Sequence, residues 1–215
     1  NFDIELFSFS LGASGSHGNG PISGSTIGFD ANFNGRIDTN EPSIQTKSDG
    51  SYSGLKIDLR TFDLNQNGKI DPNEGRQIAF GGQDTVGGHD VSTVMFAPYG
   101  TIISPLTTVY SVALMQGMDE GEAKELIQSL FSIKDWDFTT EEPIHAIRSE
   151  DLIPNISARK AALAHTYMNW IFDKLIHKAE KIANLDKLPL NQRVSLTENY
   201  SLNLIEQVGK VDDFT

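Results

Sequence analysis

Two segments of this chain repeat one pattern of oxygen-bearing residues: Asp30-Ala31-Asn32-Phe33-Asn34-Gly35-Arg36-Ile37-Asp38-Thr39-Asn40-Glu41, then Asp63-Leu64-Asn65-Gln66-Asn67-Gly68-Lys69-Ile70-Asp71-Pro72-Asn73-Glu74. Both fit D-x-[DN]-x-[DN]-G-x5-E, a calcium-loop pattern. Calcium is a hard cation that takes six to eight oxygens, and this spacing supplies them in order. In the first loop the expected ligands are the side chains of Asp30, Asn32 and Asn34, the Arg36 carbonyl, Asp38 directly or through water, and Glu41 with both oxygens. In the second they are Asp63, Asn65, Asn67, the Lys69 carbonyl, Asp71 and Glu74. Gly35 and Gly68 stand at the sixth position, where the chain turns sharply and a Cβ is strained. Ile37 and Ile70, at the eighth, are expected to pin each loop to a core. A single match could be an ordinary Asp/Asn/Gly surface turn; two full matches favour two Ca²⁺ sites.

Charge agrees with this reading and excludes another. Acids outnumber bases 29 to 17, for a net charge of −12, the wrong sign for phosphate binding, so no nucleic-acid partner is expected. Six acids of residues 1–102 are proposed ligands, and without metal they repel one another. The chain has no cysteine, so neither a disulfide nor a thiolate ligand enters the fold. It contains no apolar run of eighteen residues, and no membrane insertion is expected. Beginning at Asn1, it is expected to be a processed or excised piece, with any export signal outside it.

Glycine usage divides the chain. Of its 19 glycines, only Gly117, Gly121 and Gly209 follow residue 102. The expected boundary lies near Pro98–Pro105, giving a calcium-binding β-domain over 1–102 and an α-helical domain over 103–215. The fold class expected is α+β: a β-sandwich-like N-terminal part carrying the two loops, then a helical bundle. Strands are predicted over 2–10, 22–29, 77–80 and 91–96, with a Gly/Ser loop over 11–20. A hairpin is predicted from 43–47 to 51–55 around Asp49-Gly50, and an extended run over 56–62. Ser104-Pro105 starts a helix that stops at Gly117, and Asp119 with Glu122 starts a second. Further helices are predicted around 143–148, over 157–185, and from 192 to a stop at Gly209. In an EF-hand, helices flank each loop. Here Glu41 is followed by Pro42 and Glu74 by Gly75, with no helical periodicity on either side, so chelators joined to strands are expected rather than a switch that opens a groove.

The run Ile22-Ser23-Gly24, Phe29-Asp30, Asn32, Asn34-Gly35, Asp38, Glu41-Pro42, Thr46 and Asp49-Gly50-Ser51-Tyr52 resembles the calcium-bearing B-type repeats of bacterial surface adhesins. Gly81-Gly82, Asp84, Ala97-Pro98, Gly100 and Ser104-Pro105-Leu106-Thr107-Thr108 are similar to segments of very large secreted bacterial proteins, including RTX-type adhesins. The resemblance implies a prealbumin-like β-sandwich, an extracellular or cell-surface location and a structural or adhesive role. The chain departs from the adhesin repeat by placing a second loop in the same unit and by adding helices.

The remaining constellations carry less. Gly81 to Asp90 hints at a calcium β-roll nonapeptide, but in one imperfect copy, so a third ion near Asp84 or Asp90 weighs less than a plain turn. His17, His89, His145, His165 and His177 form no ligand spacing and are expected to be solvated or capping. Tyr167, Trp170 and Phe172 are expected in the core. No catalytic signature is present. The function expected is a non-enzymatic extracellular module with structural calcium, whose protein or glycan ligand is not specified by the sequence. The alternatives are a dockerin-like recognition module, although dockerins place a helix after each loop, and an enzyme accessory domain.

Overall fold

Alternation over Thr26-Ile27-Gly28-Phe29-Asp30 and Arg76-Gln77-Ile78-Ala79-Phe80 gives each segment two differently committed faces, and the two pair to form the centre of the molecule. The structure, a computed structural model, describes residues 7–8, 10–12, 19–53, 55–85, 87–141 and 156–212. In chain order the elements are β1 (Phe7–Ser8), β2 (Ser10–Gly12), β3 (Asn19–Ser23), β4 (Thr26–Asp30), β5 (Ser43–Gln45), β6 (Ser51–Tyr52), α1 (Leu59–Phe62), β7 (Arg76–Phe80), β8 (Gln83–Asp84), β9 (Val94–Ala97), α2 (Pro105–Met115), α3 (Glu120–Leu130), α4 (Ile156–Ala183) and α5 (Leu190–Asp212). The fold is mixed α+β. Among the described residues the antiparallel sheets run β5-β4-β7-β9, β2-β3-β8 and β1-β6.

In the four-stranded sheet, Ile27 lies opposite Ala79 and Ala79 opposite Met95, placing all three on one face. They share a core with Val109 and Ala113 of α2 and Met168 of α4. The other face carries Ile78 opposite Phe96, packed with Val194 of α5. Helices therefore cover both faces of this sheet, where a sandwich of sheet on sheet was expected for residues 1–102. The change from strand to helix falls between β9 and α2, and the hydrophobic core runs across it.

α2 is apolar nearly all round and buried along most of its length, as a central helix must be. Ser104 caps it, accepting from the Thr107 N–H at 3.1 Å while its own N–H donates to Thr107 Oγ1 at 2.8 Å. The long pair α4 and α5 also buries polar groups. His165, Asn169, Asp173 and Glu180 of α4 and Arg193, Thr197 and Ser201 of α5 are all buried, and burial pushes the Asp173 carboxyl above its ordinary value.

Several expectations need correction. The predicted strand 22–29 breaks at Gly24, a turn between β3 and β4. The hairpin around Asp49-Gly50 does not form as a ladder: β5 pairs with β4 and β6 with β1. The Asp49 carboxylate accepts from the Ser51 N–H at 2.9 Å, tightening the turn, while Tyr52 is carried into the core. Residues 59–62 coil into one helical turn because Asp58 caps it, accepting from the Arg60 N–H at 3.1 Å. α5 continues through Gly209; one glycine costs a helix only about 1 kcal/mol and does not end it. His165 is buried, not solvated, whereas Tyr167 and Trp170 lie exposed and stacked at 6.1 Å, and only Phe172 of that trio is in the core. On α4, helical spacing from Phe172 and Leu175 predicts an apolar stripe that reaches Ile182, yet Ile182 is exposed. Residues 1–6, 13–18 and 142–155, including the helix predicted near 143–148, lie outside the described residues. Among those described, no helix is long and apolar enough to cross a membrane.

Candidate metal centres

β4 delivers Asp30 into loop 1 and β5 begins just past its end; α1 delivers Asp63 into loop 2, and β7 leaves it immediately. Strands and a single helical turn thus frame the loops. The same backbone conformation appears in each. The fourth residues, Phe33 and Gln66, have φ of 57° and 60°, and the sixth, Gly35 and Gly68, have φ of 71° and 88°.

The side chains repeat as well. Asp30 Oδ1 and Oδ2 accept from the N–H groups of Asn34 and Gly35 at 3.0 and 3.1 Å. Asp63 does the same from Asn67 and Gly68 at 3.1 and 2.7 Å. Asn34 Oδ1 accepts from the Arg36 N–H at 2.8 Å, and Asn67 Oδ1 from the Lys69 N–H at 3.0 Å. Three side-chain heads converge at the centre of each loop. Asp38 Oδ2 accepts from Nδ2 of both Asn32 and Asn34 at 2.9 Å, and Asp71 Oδ2 from Nδ2 of Asn65 and Asn67 at 2.7 and 2.6 Å. The closing glutamates bridge their loops: Glu41 accepts from the N–H groups of Ala31 and Asp38 at 2.8 and 2.7 Å. Glu74 accepts from those of Asn65 and Asp71 at 3.0 and 2.9 Å.

The donor set fits a hard cation. Each loop offers three carboxylates and two amides, all oxygen-bearing, and no nitrogen or sulfur ligand that would favour zinc. Half-rotation of the asparagine amides presents Oδ1 where Nδ2 now meets the central carboxylate. Among the described residues no cluster of three or more His, Cys, Asp or Glu side chains forms a metal-holding group; the carboxylates of each loop are parted by amide donors that each of them accepts. The side chains of Arg36 and Lys69 are solvent-facing, and Lys69 pairs with Asp71 at 2.6 Å, holding that carboxyl below its ordinary value.

The two loops sit in different surroundings. Loop 1 is roofed by α5: Ile37 packs against the cluster that contains Val194, and a Cβ on Gly35 would lie 2.8 Å from the Val194 side chain. Loop 2 has Ile70 in a cluster with Phe29 and Phe62, and a Cβ on Gly68 would meet nothing within 4 Å. Gly68→Ala is therefore expected to cost only the left-handed backbone strain, about 1–2 kcal/mol. Gly35→Ala adds a clash, and Val194→Ala should recover part of it. Chemical denaturation of the two single variants and of the Gly35→Ala/Val194→Ala pair measures this; equal losses at the two glycines would contradict it.

Sequence reasoning missed three features. Arg76, the second residue after Glu74, lies opposite Asp30 and reaches its Oδ2 at 3.1 Å. The available signal was a cation immediately before the strand predicted over 77–80. Phe29 and Phe62, each one residue before a loop, meet edge to face at 5.2 Å. A cavity of about 1010 Å3 opens beside loop 2, bounded by Leu59, Ile70, Asp71, Tyr99, Tyr110 and Leu114. Its Tyr110 hydroxyl is pushed up to about 12 by burial.

Comparison with family models, with curated proteins and with solved structures finds no match to this chain.

Proposed function

We propose that this protein is a non-enzymatic, extracellular or cell-surface calcium-binding module in which two Ca²⁺ ions, one in each loop, are structural. The supporting observation is the repetition of one hydrogen-bond scheme, atom for atom at the first, fifth and ninth positions, in two segments with different neighbours. Chance surface turns have no reason to share the convergence of two amides on a central carboxylate. Loop 1 lies between the sheet and α5, so an ion there holds strand, loop and helix in one arrangement. Asparagine at the third and fifth positions keeps the charge of each site modest, and ligand charge is one of the features that tune affinity across the range from cytosolic buffers to extracellular modules. That supports a setting rich in calcium. The resemblance to surface-adhesin repeats points the same way and suggests a structural or adhesive role in a larger bacterial protein.

A calcium titration followed by calorimetry tests the proposal. The native chain is expected to take up two ions, and Glu41→Gln and Glu74→Gln are each expected to remove one, since each deletes a charged ligand. No heat of binding in any of the three proteins would refute it.

The cavity beside loop 2 favours a second reading, a calcium-dependent recognition module. Ile70 and Asp71 are both in that loop and in the cavity wall, so ion and ligand would share a surface. A pull-down from secreted proteins with calcium or with chelator separates this from a passive stalk.

A further inference from the structure

Among the described residues, Arg76 is the most deeply buried cationic side chain of the β-half. It is 1 % exposed and Asp30, its partner, 0 %. Its Nη1 pairs with Glu198 Oε1 of α5 at 2.7 Å. Its guanidinium lies 4.0 Å from the Phe96 ring centroid and 5.6 Å from that of Phe33. A buried charge persists only where opposite charge and ring faces replace water, and here both do. Loop 2 has no counterpart: among the described residues no cation pairs with Asp63, and the Lys69–Asp71 pair is a surface contact, with Lys69 65 % exposed. At their first ligand, two loops with the same ligand pattern therefore differ: only that of loop 1 has a guanidinium against it among the described residues.

We propose that Arg76 is a resident cation of loop 1, making it the weaker calcium site and the one that keeps its shape without an ion, while the order of loop 2 depends on calcium. The proposal rests on the reading of both loops as calcium sites. The physical argument has two parts. A fixed positive charge on Asp30 repels an incoming divalent cation, which lowers affinity. The same charge holds Asp30 in position to accept from Asn34 and Gly35, so the loop stays organised when calcium is removed. Glu198 moderates the first effect by drawing part of the guanidinium charge toward α5.

Opposite signs follow for two substitutions. Arg76→Met removes the repelling charge and tightens calcium binding at loop 1, on the order of tenfold. Glu198→Gln removes the moderating charge and weakens it by a similar factor. A purely structural role for the Arg76–Glu198 contact would weaken binding in both.

Calorimetric titration on the full chain in a Glu74→Gln background reads loop 1 alone, and in a Glu41→Gln background loop 2 alone. Loop 1 should be the weaker, Arg76→Met and Glu198→Gln should move it in opposite directions, and loop 2 should be unmoved by either. In chelator, hydrogen exchange should find the Asn34 and Gly35 amides protected and those of Asn67 and Gly68 not. If Arg76→Met does not fold, Glu198→Gln decides the matter, because Glu198 is 24 % exposed at its side chain and tolerates the change. Equal affinities, shifts of the same sign, or an unmoved loop 1 in Glu198→Gln would each overturn the proposal. Absence of calcium binding at both loops would instead overturn the reading beneath it.

Discussion

Removing calcium with a chelator is expected to lower the melting temperature of this protein by roughly 10–20 °C. An ion that binds only the folded chain stabilises it by about 2.7 kcal/mol at a hundredfold excess over Kd, so two sites contribute about 5 kcal/mol. For a chain of this size each kcal/mol shifts the midpoint by about 2–4 °C. A bound ion is expected to offset the mutual repulsion that Asp30, Asp38 and Glu41, and likewise Asp63, Asp71 and Glu74, meet when drawn onto one centre. Glu41→Ala and Glu74→Ala, measured in calcium, are each expected to reproduce part of the loss. Thermal melts with and without chelator make the comparison, and an unchanged curve would contradict structural calcium. The effect stops short of unfolding because the carboxylates of loop 1 already accept backbone N–H groups there and the hydrophobic core does not depend on the ion.

Phe29→Ala is expected to cost about 3–5 kcal/mol, the range for deleting a buried aromatic ring. Phe29 is fully buried. It meets Phe62 at 5.2 Å and Tyr99 at 5.9 Å, both edge to face, and its ring fills the space beside Gly75, where a Cβ would lie 2.3 Å away. Phe29 precedes the first residue of loop 1, Phe62 precedes that of loop 2, and Gly75 follows the last residue of loop 2. One ring therefore spaces the two loops. Gly75→Ala, which forces that ring aside from a backbone at φ 147°, should be similarly damaging from the opposite direction, by overpacking rather than by a cavity. Urea denaturation reads both. A loss below about 1 kcal/mol for Phe29→Ala, a range reserved for surface changes, would show that the ring does not space the loops.

What could be read from the sequence was what local chemistry dictates. The loop pattern, its positive-φ glycines and the capped start of α2 each depend on residues within a few positions of one another, and the structure has the glycine turns and the Ser104 cap as anticipated. The pairing of strands was less accessible. Asp49-Gly50 has the composition of a hairpin turn, yet β5 and β6 found other partners, because strand choice is settled by what buries Ile44 and Tyr52 rather than by the turn. The α4 stripe illustrates a related limit. Helical spacing marks Ile182 and Leu175 as readily as Phe172 and Ile176, and only the position of α5 decides which side is covered. The partners of Arg76 were out of reach for the same reason. The role of Arg76 comes from a register that sets β7 against β4 and from Glu198 within a helix more than a hundred residues away, and neither has a local signature. The candidate ligands were all nameable from spacing; the environment that makes the two loops unequal was not.

The most direct test of the central claim is the number of calcium ions bound by the native chain at saturation, determined by equilibrium dialysis with metal analysis. Two ions per chain, falling to one when either closing glutamate is replaced by glutamine, is the expected result. A chain that retains no calcium, with both loops intact, would contradict it.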